Sequence, residues 1–329
     1  MLRIVPPLLL SLALAFPLAA SEQQVEIKEW PLPWRDSHPR APHAVSPTAV
    51  WFVAEKGNFL ASLNPQTGRF SKIDLVDEPA PRNVVAAANG MLWFTASAHG
   101  YLGRYDLRSR TLYRAPLGDA VTDPSSLTFE AGERNIWFTA SESNIIGRYR
   151  LVNGIADVIR VPTPNALPDG IAVAPNAGNP WVALSGTNNL GTIDPRTFVL
   201  TMRALPRPAA RPRRLDFTSD GRLWYVDFAE GFLGALKPGA QGAKEWPMPG
   251  GKKSQPYAMA VDSKDRIWVM ETGIKPTKLV AFDPKTQQFS GATPVPSGGG
   301  VISDMTYDRA SAGLWFATDT NTIGYAKVN

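Results

Sequence analysis

The chain has 329 residues, no cysteine and three histidines, His38, His43 and His99. That composition excludes disulfides, thiolate metal sites, iron–sulfur clusters, a cysteine nucleophile and a histidine-rich zinc centre. With 34 Lys+Arg against 29 Asp+Glu the net charge is +5, basic but short of a nucleic-acid-binding excess, and 30 Pro and 27 Gly beside 44% hydrophobic residues describe many short strands joined by turns.

In chain order, the first element is a charge-free run from Ile4 to Ala20 behind Arg3, ending Leu18-Ala19-Ala20-Ser21. A positive start, a short apolar stretch and small residues before a polar segment predict an export signal over residues 1–21, cleaved near Ala20 or Ser21. Pro6, Pro7 and Pro17 argue against a membrane anchor in a run this short. The expectation is one periplasmic or secreted domain over 22–329, not membrane-spanning after cleavage. The next element, Val25-Glu-Ile-Lys-Glu-Trp30-Pro-Leu-Pro, is strand-like and matches a later segment, Ala243-Lys-Glu-Trp246-Pro-Met-Pro.

From there the chain repeats. Trp51, Trp93, Trp137, Trp181, Trp224, Trp268 and Trp315 follow one another at 42, 44, 44, 43, 44 and 47 residues. Each sits in an apolar patch, as in Leu92-Trp-Phe-Thr and Ile136-Trp-Phe-Thr. A second patch follows, as in Leu102-Gly-Arg-Tyr-Asp and Ile146-Gly-Arg-Tyr. Upstream stand a proline, an apolar run and a turn signal, such as Pro212 to Asp220-Gly221. Four runs of strand length per unit, seven times over, predict an all-β, seven-bladed propeller of four-stranded blades. The last unit ends after its third run, so residues 25–32 are expected to supply its fourth strand and close the ring, as a monomer.

Between units four and five lies Arg203-Ala-Leu-Pro-Arg207-Pro-Ala-Ala-Arg211-Pro-Arg213-Arg214, five arginines in twelve residues. It reads either as a surface for an anionic glycan, protein or membrane or as a rigid solvated connection. No stacked-aromatic pattern accompanies it, and no nucleic-acid partner is expected.

The repeated unit, Pro-x-x-apolar, Asp-Gly-x-Leu-Trp-Phe-Thr, Ile-Gly-Arg-Tyr-Asp, Leu-Pro, resembles the virginiamycin B lyase (streptogramin lyase) family over residues 25–329. The resemblance implies a seven-bladed propeller and a lyase that opens a cyclic depsipeptide by elimination, with Mg²⁺ polarising the ester carbonyl and a histidine as base or acid. It places the chemistry in one blade: a histidine after the leading proline, then a glutamate and a second histidine two residues apart after the Trp strand. Unit six supplies that frame. Glu271 stands at the glutamate, Tyr257 at the first histidine and Gly273 at the second.

Propeller ligands bind at the axial mouth, where equivalent positions form rings. The residue after each leading proline gives one ring: His43, Arg82, Ser125, Asp169, Arg213, Tyr257 and, in unit seven, Asp304. The third residue after each Trp gives another: Ala54, Ala96, Ala140, Leu184, Asp227, Glu271 and Thr318. Scaffold positions repeat their residue type. These vary, as a ligand surface does. Glu271, Tyr257 and His43 are the candidate catalytic residues, and Arg82, Asp169, Arg213, Asp227 and Asp304 the candidate ligand-binding ones. Asp227 and Glu271 are candidates to share Mg²⁺, with pairing to arginine as the alternative. His38 and His99 lack partner spacing and receive no role. Two functions remain open: a metal-assisted lyase on a cyclic ester or lactone, and a non-catalytic binding module for a small molecule, glycan or protein.

Overall fold

The structure, a computed structural model, describes residues 25–175, 178–240 and 242–328. The expected export signal lies outside them.

The repeat folds because its runs pair locally. Each unit forms a four-stranded antiparallel sheet with strands in chain order, for example Tyr101–Asp106 between Met91–Ala96 and Thr111–Pro116. The units are numbered as blades in chain order. Successive first strands contact one another from blade to blade and from blade seven back to blade one, so they form the wall around the axis.

The core lies between blades. The Trp strand of every blade is almost wholly buried, and Trp137 and Trp224 have no exposed surface. The glycine of Ile-Gly-Arg-Tyr explains itself at this point. Gly103 pairs with Phe94 and Gly147 with Phe138, and each aromatic ring lies across the glycine so closely that a Cβ would overlap it. The recurrent glycine is the space into which the residue after Trp packs.

Ring closure follows expectation. Blade seven holds Met305–Asp308, Gly313–Thr318 and Thr322–Lys327, and Glu26–Pro31 pairs with Thr322–Lys327 as its fourth strand. Trp30 stacks on Trp315 with ring centres 5.6 Å apart. Asn321 donates to the Trp34 carbonyl at 2.6 Å and accepts from the Ser37 N–H at 3.2 Å. Apart from the short 3-10 turn Gly251–Ser254 the described residues are strands and turns, and none of their helices is long and apolar enough to cross a membrane.

One irregularity positions the site. Six of the first strands shift register just after the leading proline, as between Pro81 and Val84, Pro212 and Leu215, and Pro256 and Met259. Such a bulge re-aims side chains locally. It also identifies the leading proline of blade one. Pro39 pairs with Ala54 and the shift runs from Arg40 to His43, so Pro39, and not Pro42, is the equivalent of Pro81.

Candidate functional site

The bulges turn the residues behind the leading prolines into one cavity at the axial mouth, with a water-accessible volume of about 230 Å³. Arg82, Ser125, Asp169, Arg213, Tyr257 and Asp304 all line it, as that ring of the sequence anticipates. The blade-one member is Arg40. His43 is displaced from the ring because the chain offers two prolines three residues apart and the first begins the strand. His43 pairs with Trp51 further along the strand, and burial lowers its pKa, partly offset by the negative charge of Asp308.

A continuous charge network crosses the mouth. Glu55 accepts from Arg40 Nε at 2.6 Å and from Arg82 Nε at 2.9 Å. Arg40 Nη1 donates to Ser303 Oγ at 2.9 Å, and Ser303 donates to Asp304 at 2.8 Å. Asp304 takes Arg214 Nη2 at 2.9 Å, Arg214 Nη1 reaches Asp169, and Arg213 Nη1 lies 3.1 Å from the other Asp169 oxygen. Burial opposes charge on Asp169, Glu55 and Arg214, yet the pairing prevails. Asp169 stays below its ordinary pKa beside Arg214 and Arg213. Glu55 is held far below the carboxylate range by His38, Arg40 and Arg82. Arg214 is raised by Asp169 and Asp304. Four guanidinium groups face three paired carboxylates, and Glu142 is exposed at the rim.

Tyr257 stands within this network. Its ring lies 5.0 Å from the Arg214 guanidinium and 5.4 Å from that of Arg213, and Phe228 meets it edge-on at 5.7 Å. Burial raises its pKa, reinforced by Asp169 and opposed by the arginines, so the phenol remains a protonated donor at neutral pH.

The second sequence ring does not reach the cavity. Ala54, Ala96, Ala140, Leu184, Asp227 and Thr318 have no exposed surface, and Glu271 has 1%. From the position after it, Ser141 and Ser185 line the cavity, and Glu55 accepts from the lining residue Arg82. Asp227 Oδ1 accepts the backbone N–H groups of Arg211, Ala229 and Glu230 at 2.8, 3.2 and 3.3 Å, and its Oδ2 lies 3.8 Å from Arg207 Nε. Glu271 Oε1 accepts the Gly250 N–H at 2.7 Å. Burial raises the pKa of both carboxyls.

The arginine-rich connection is largely consumed by the fold. Arg207 lies over Phe232 at 3.2 Å and 2.9 Å from Glu245, and Arg213 and Arg214 enter the mouth. Arg211 donates to the Pro208 and Ala210 carbonyls.

Sequence reasoning missed Arg40, Glu55, His38 and Arg214. The spacing of Glu55, four residues after Trp51, carried the signal. His38 emerges beside it, with Nδ1 3.1 Å from Glu55 Oε2.

Fold and mouth together define a seven-bladed propeller with a polar, arginine-rich axial cavity. The chain belongs to the virginiamycin B lyase family, whose sequence model matches residues 18–326. Among solved structures it is similar to a streptogramin B lyase, at 21% identity and a TM-score of 0.84 over 94% of this chain and all of that one. It is similar also to virginiamycin B lyase from Staphylococcus aureus, at 20% identity and 0.83 over 93% of this chain and all of that one. A catalytically inactive histidine-to-alanine variant of the Staphylococcus aureus enzyme, with quinupristin, matches at 20% identity and 0.84, again over 93% of this chain and the whole of the other. No relative was found among curated proteins.

Asp227 and Glu271, the two carboxylates considered as sharing Mg²⁺, do not fit that ion. A hard dication needs several anionic or carbonyl oxygens. Asp227 has one oxygen bound to three N–H groups and the other facing a guanidinium, while Glu271 is engaged by Gly250. Among the described residues no group of three or more His, Asp or Glu is arranged to hold a metal ion.

Proposed function

We propose that this protein is an exported propeller that binds a small carboxylate-bearing molecule in its axial mouth. One observation carries the reading: guanidinium donors in the cavity remain uncommitted after the internal ion pairs are made. Arg82 uses only Nε, on Glu55, and Arg213 Nε is buried with no partner among the described residues. A buried donor left unsatisfied costs about 1–3 kcal/mol, and a bound carboxylate matches the guanidinium fork. The protonated Tyr257 hydroxyl adds a neutral donor. Size narrows the class. At about 230 Å³ the cavity is below the ~300–1,000 Å³ usual for drug-sized ligands, which favours a small acid over an enclosed cyclic depsipeptide. Export rests on the charge-free run Ile4 to Ala20 behind Arg3.

A metal-assisted lyase on a cyclic ester is the second reading, supported by family membership and by Glu271 at the family's glutamate position. The Gly250 N–H on Glu271 and the tyrosine and glycine at the two histidine positions weigh against it.

Isothermal titration with succinate, D-galacturonate and neutral D-galactose tests the binding reading. The acids are expected to bind and galactose to be silent, with Arg213→Gln weakening the acids at least about tenfold, or ~1.4 kcal/mol. Equal binding of galactose and galacturonate, or no effect of Arg213→Gln, contradicts it.

A further inference from the structure

The walls of the mouth differ in what they offer a ligand. A carbonyl oxygen only accepts, so a hydroxyl bonded to one is the donor. Ser185 Oγ donates to the Leu167 carbonyl at 2.8 Å, and Ser141 Oγ donates to the Pro168 carbonyl at 2.7 Å. Thr139 Oγ1 likewise donates to the Asp169 carbonyl at 2.7 Å. Ser125 Oγ lies 3.1 Å from both Thr139 Oγ1 and Ser141 Oγ, whose protons are already placed, so Ser125 is the donor there too. The protons of these hydroxyls serve the scaffold; the one on Ser141 ties blade three to the leading proline of blade four. What remains for the cavity that Ser141 and Ser185 line is their lone pairs. Ser126, in the same wall, has a hydroxyl that can turn either way. Glu142 adds an exposed carboxylate at the rim, and Asp169 has one oxygen on Arg213 and the other on Arg214. Blades three and four therefore present acceptors. The walls on either side, from blades two, five and six, present the donors Arg82, Arg213 and Tyr257.

We propose that the ligand of the mouth is a hydroxylated carboxylate of the sugar-acid kind, and that Ser141 and Ser185 select for its hydroxyls. The inference rests on the carboxylate-binding reading above. With the acid group drawn to Arg82 or Arg213, the rest of the ligand meets lone pairs on blades three and four. An apolar frame there displaces water from those oxygens and returns no hydrogen bond, which costs free energy. A hydroxyl takes the place of the lost water. An ammonium is the other donor that could face this wall, but a buried ammonium needs an ionised partner. Asp169 is already paired with two guanidinium groups, and Glu142 stands out in solvent. The buried Ser185 and its counterpart Ser141 in the adjacent blade are neutral acceptors, which suit several hydroxyls on one carbon frame better than one charged centre.

The test is isothermal titration of the unmodified protein with D-galacturonate and with cyclohexanecarboxylate, which keeps the ring size and the acid but carries no hydroxyl. Galacturonate is expected to bind at least about tenfold more tightly, because a site built to bond hydroxyls rejects the analogue that lacks them. This comparison needs no variant to fold. Ser185→Ala, and separately Ser141→Ala, should narrow the ratio of the two affinities about fivefold, the worth of one hydrogen bond. Arg213→Gln should instead weaken both acids and leave their ratio in place. Equal affinity for the two acids, or an unchanged ratio in both serine variants, overturns the hydroxyl inference and leaves the carboxylate reading standing. Failure of both acids to bind overturns the two together.

Discussion

Asp169 is the carboxylate on which two arginines of the mouth converge, and removing it isolates the role of pairing. It is 7% exposed, and both its oxygens are engaged, one by Arg213 and one by Arg214. Breaking a buried pair by deleting one partner leaves an uncompensated charge and costs about 3–5 kcal/mol. Asp169→Ala is therefore expected to destabilise the protein by about 3 kcal/mol in urea unfolding. Asp216 behaves oppositely. It accepts only the N–H groups of Phe217 and of Val261, across the seam between blades five and six, at 2.8 and 2.9 Å. Burial pushes its pKa up to about 6. A raised carboxyl contributes stability that is complete below the unfolded value, near pH 3.8, and is lost as pH climbs through 6. Asp216→Asn should thus gain on the unmodified protein between pH 4 and 7. The expected gain is about 2 kcal/mol, less than full linkage because the side chain keeps partial access to water. Thermal unfolding of both proteins across that range measures it.

The site was legible in part, and the reason is register. Counting from the prolines located Arg82, Asp169, Arg213 and Tyr257, since the bulge recurs at the same place and side chains there vary freely, and the repeat spacing alone located Asp304 in blade seven. It failed at blade one, where Pro39 and Pro42 compete and only the pairing of Pro39 with Ala54 decides. It overlooked Arg214 because a bulge brings two successive residues to the mouth, and spacing alone implies one. The ring containing Asp227 and Glu271 was assigned to the mouth one residue early. In a strand that step moves a side chain to the other face, here from the mouth into the seam.

At the scale of elements, the pairing of glycine with an aromatic sets the thickness of each blade. Gly147 opposite Phe138 and Gly103 opposite Phe94 leave no room for a side chain. Overpacking a close-packed interior costs about 1–3 kcal/mol. Gly147→Val should fall at the upper end in urea unfolding, and Phe138→Leu in the same chain should restore part of the loss. A full-sized penalty in the double variant would place the strain elsewhere. The arginine-rich connection is also decided here. Composition leaves it open between a surface and a strut, because composition carries no direction. In the folded chain Arg207 closes a seam against Phe232 and Glu245, while Arg213 and Arg214 become walls of the cavity.

For the whole molecule, the tryptophan period made the propeller readable, because one buried Trp strand recurs per blade and strand-length runs flank it. Closure was readable too, from the resemblance of residues 25–32 to the fourth run of blade five. It makes stability a property of the ring, since the strand that begins the described chain completes the sheet that ends it. Trp30 is 9% exposed and stacks on Trp315. Trp30→Ala should cost about 3–5 kcal/mol, and unfolding should stay a single transition if the seven blades depend on one another.

The central claim is that the uncommitted donors of the mouth exist for a carboxylate. A crystal structure of the protein soaked with D-galacturonate tests it most directly. The account predicts density for the acid inside the cavity, its carboxylate within hydrogen-bond distance of Arg82 or Arg213 and its ring beside Tyr257. A cavity holding only water, with the acid bound elsewhere on the propeller, would contradict it.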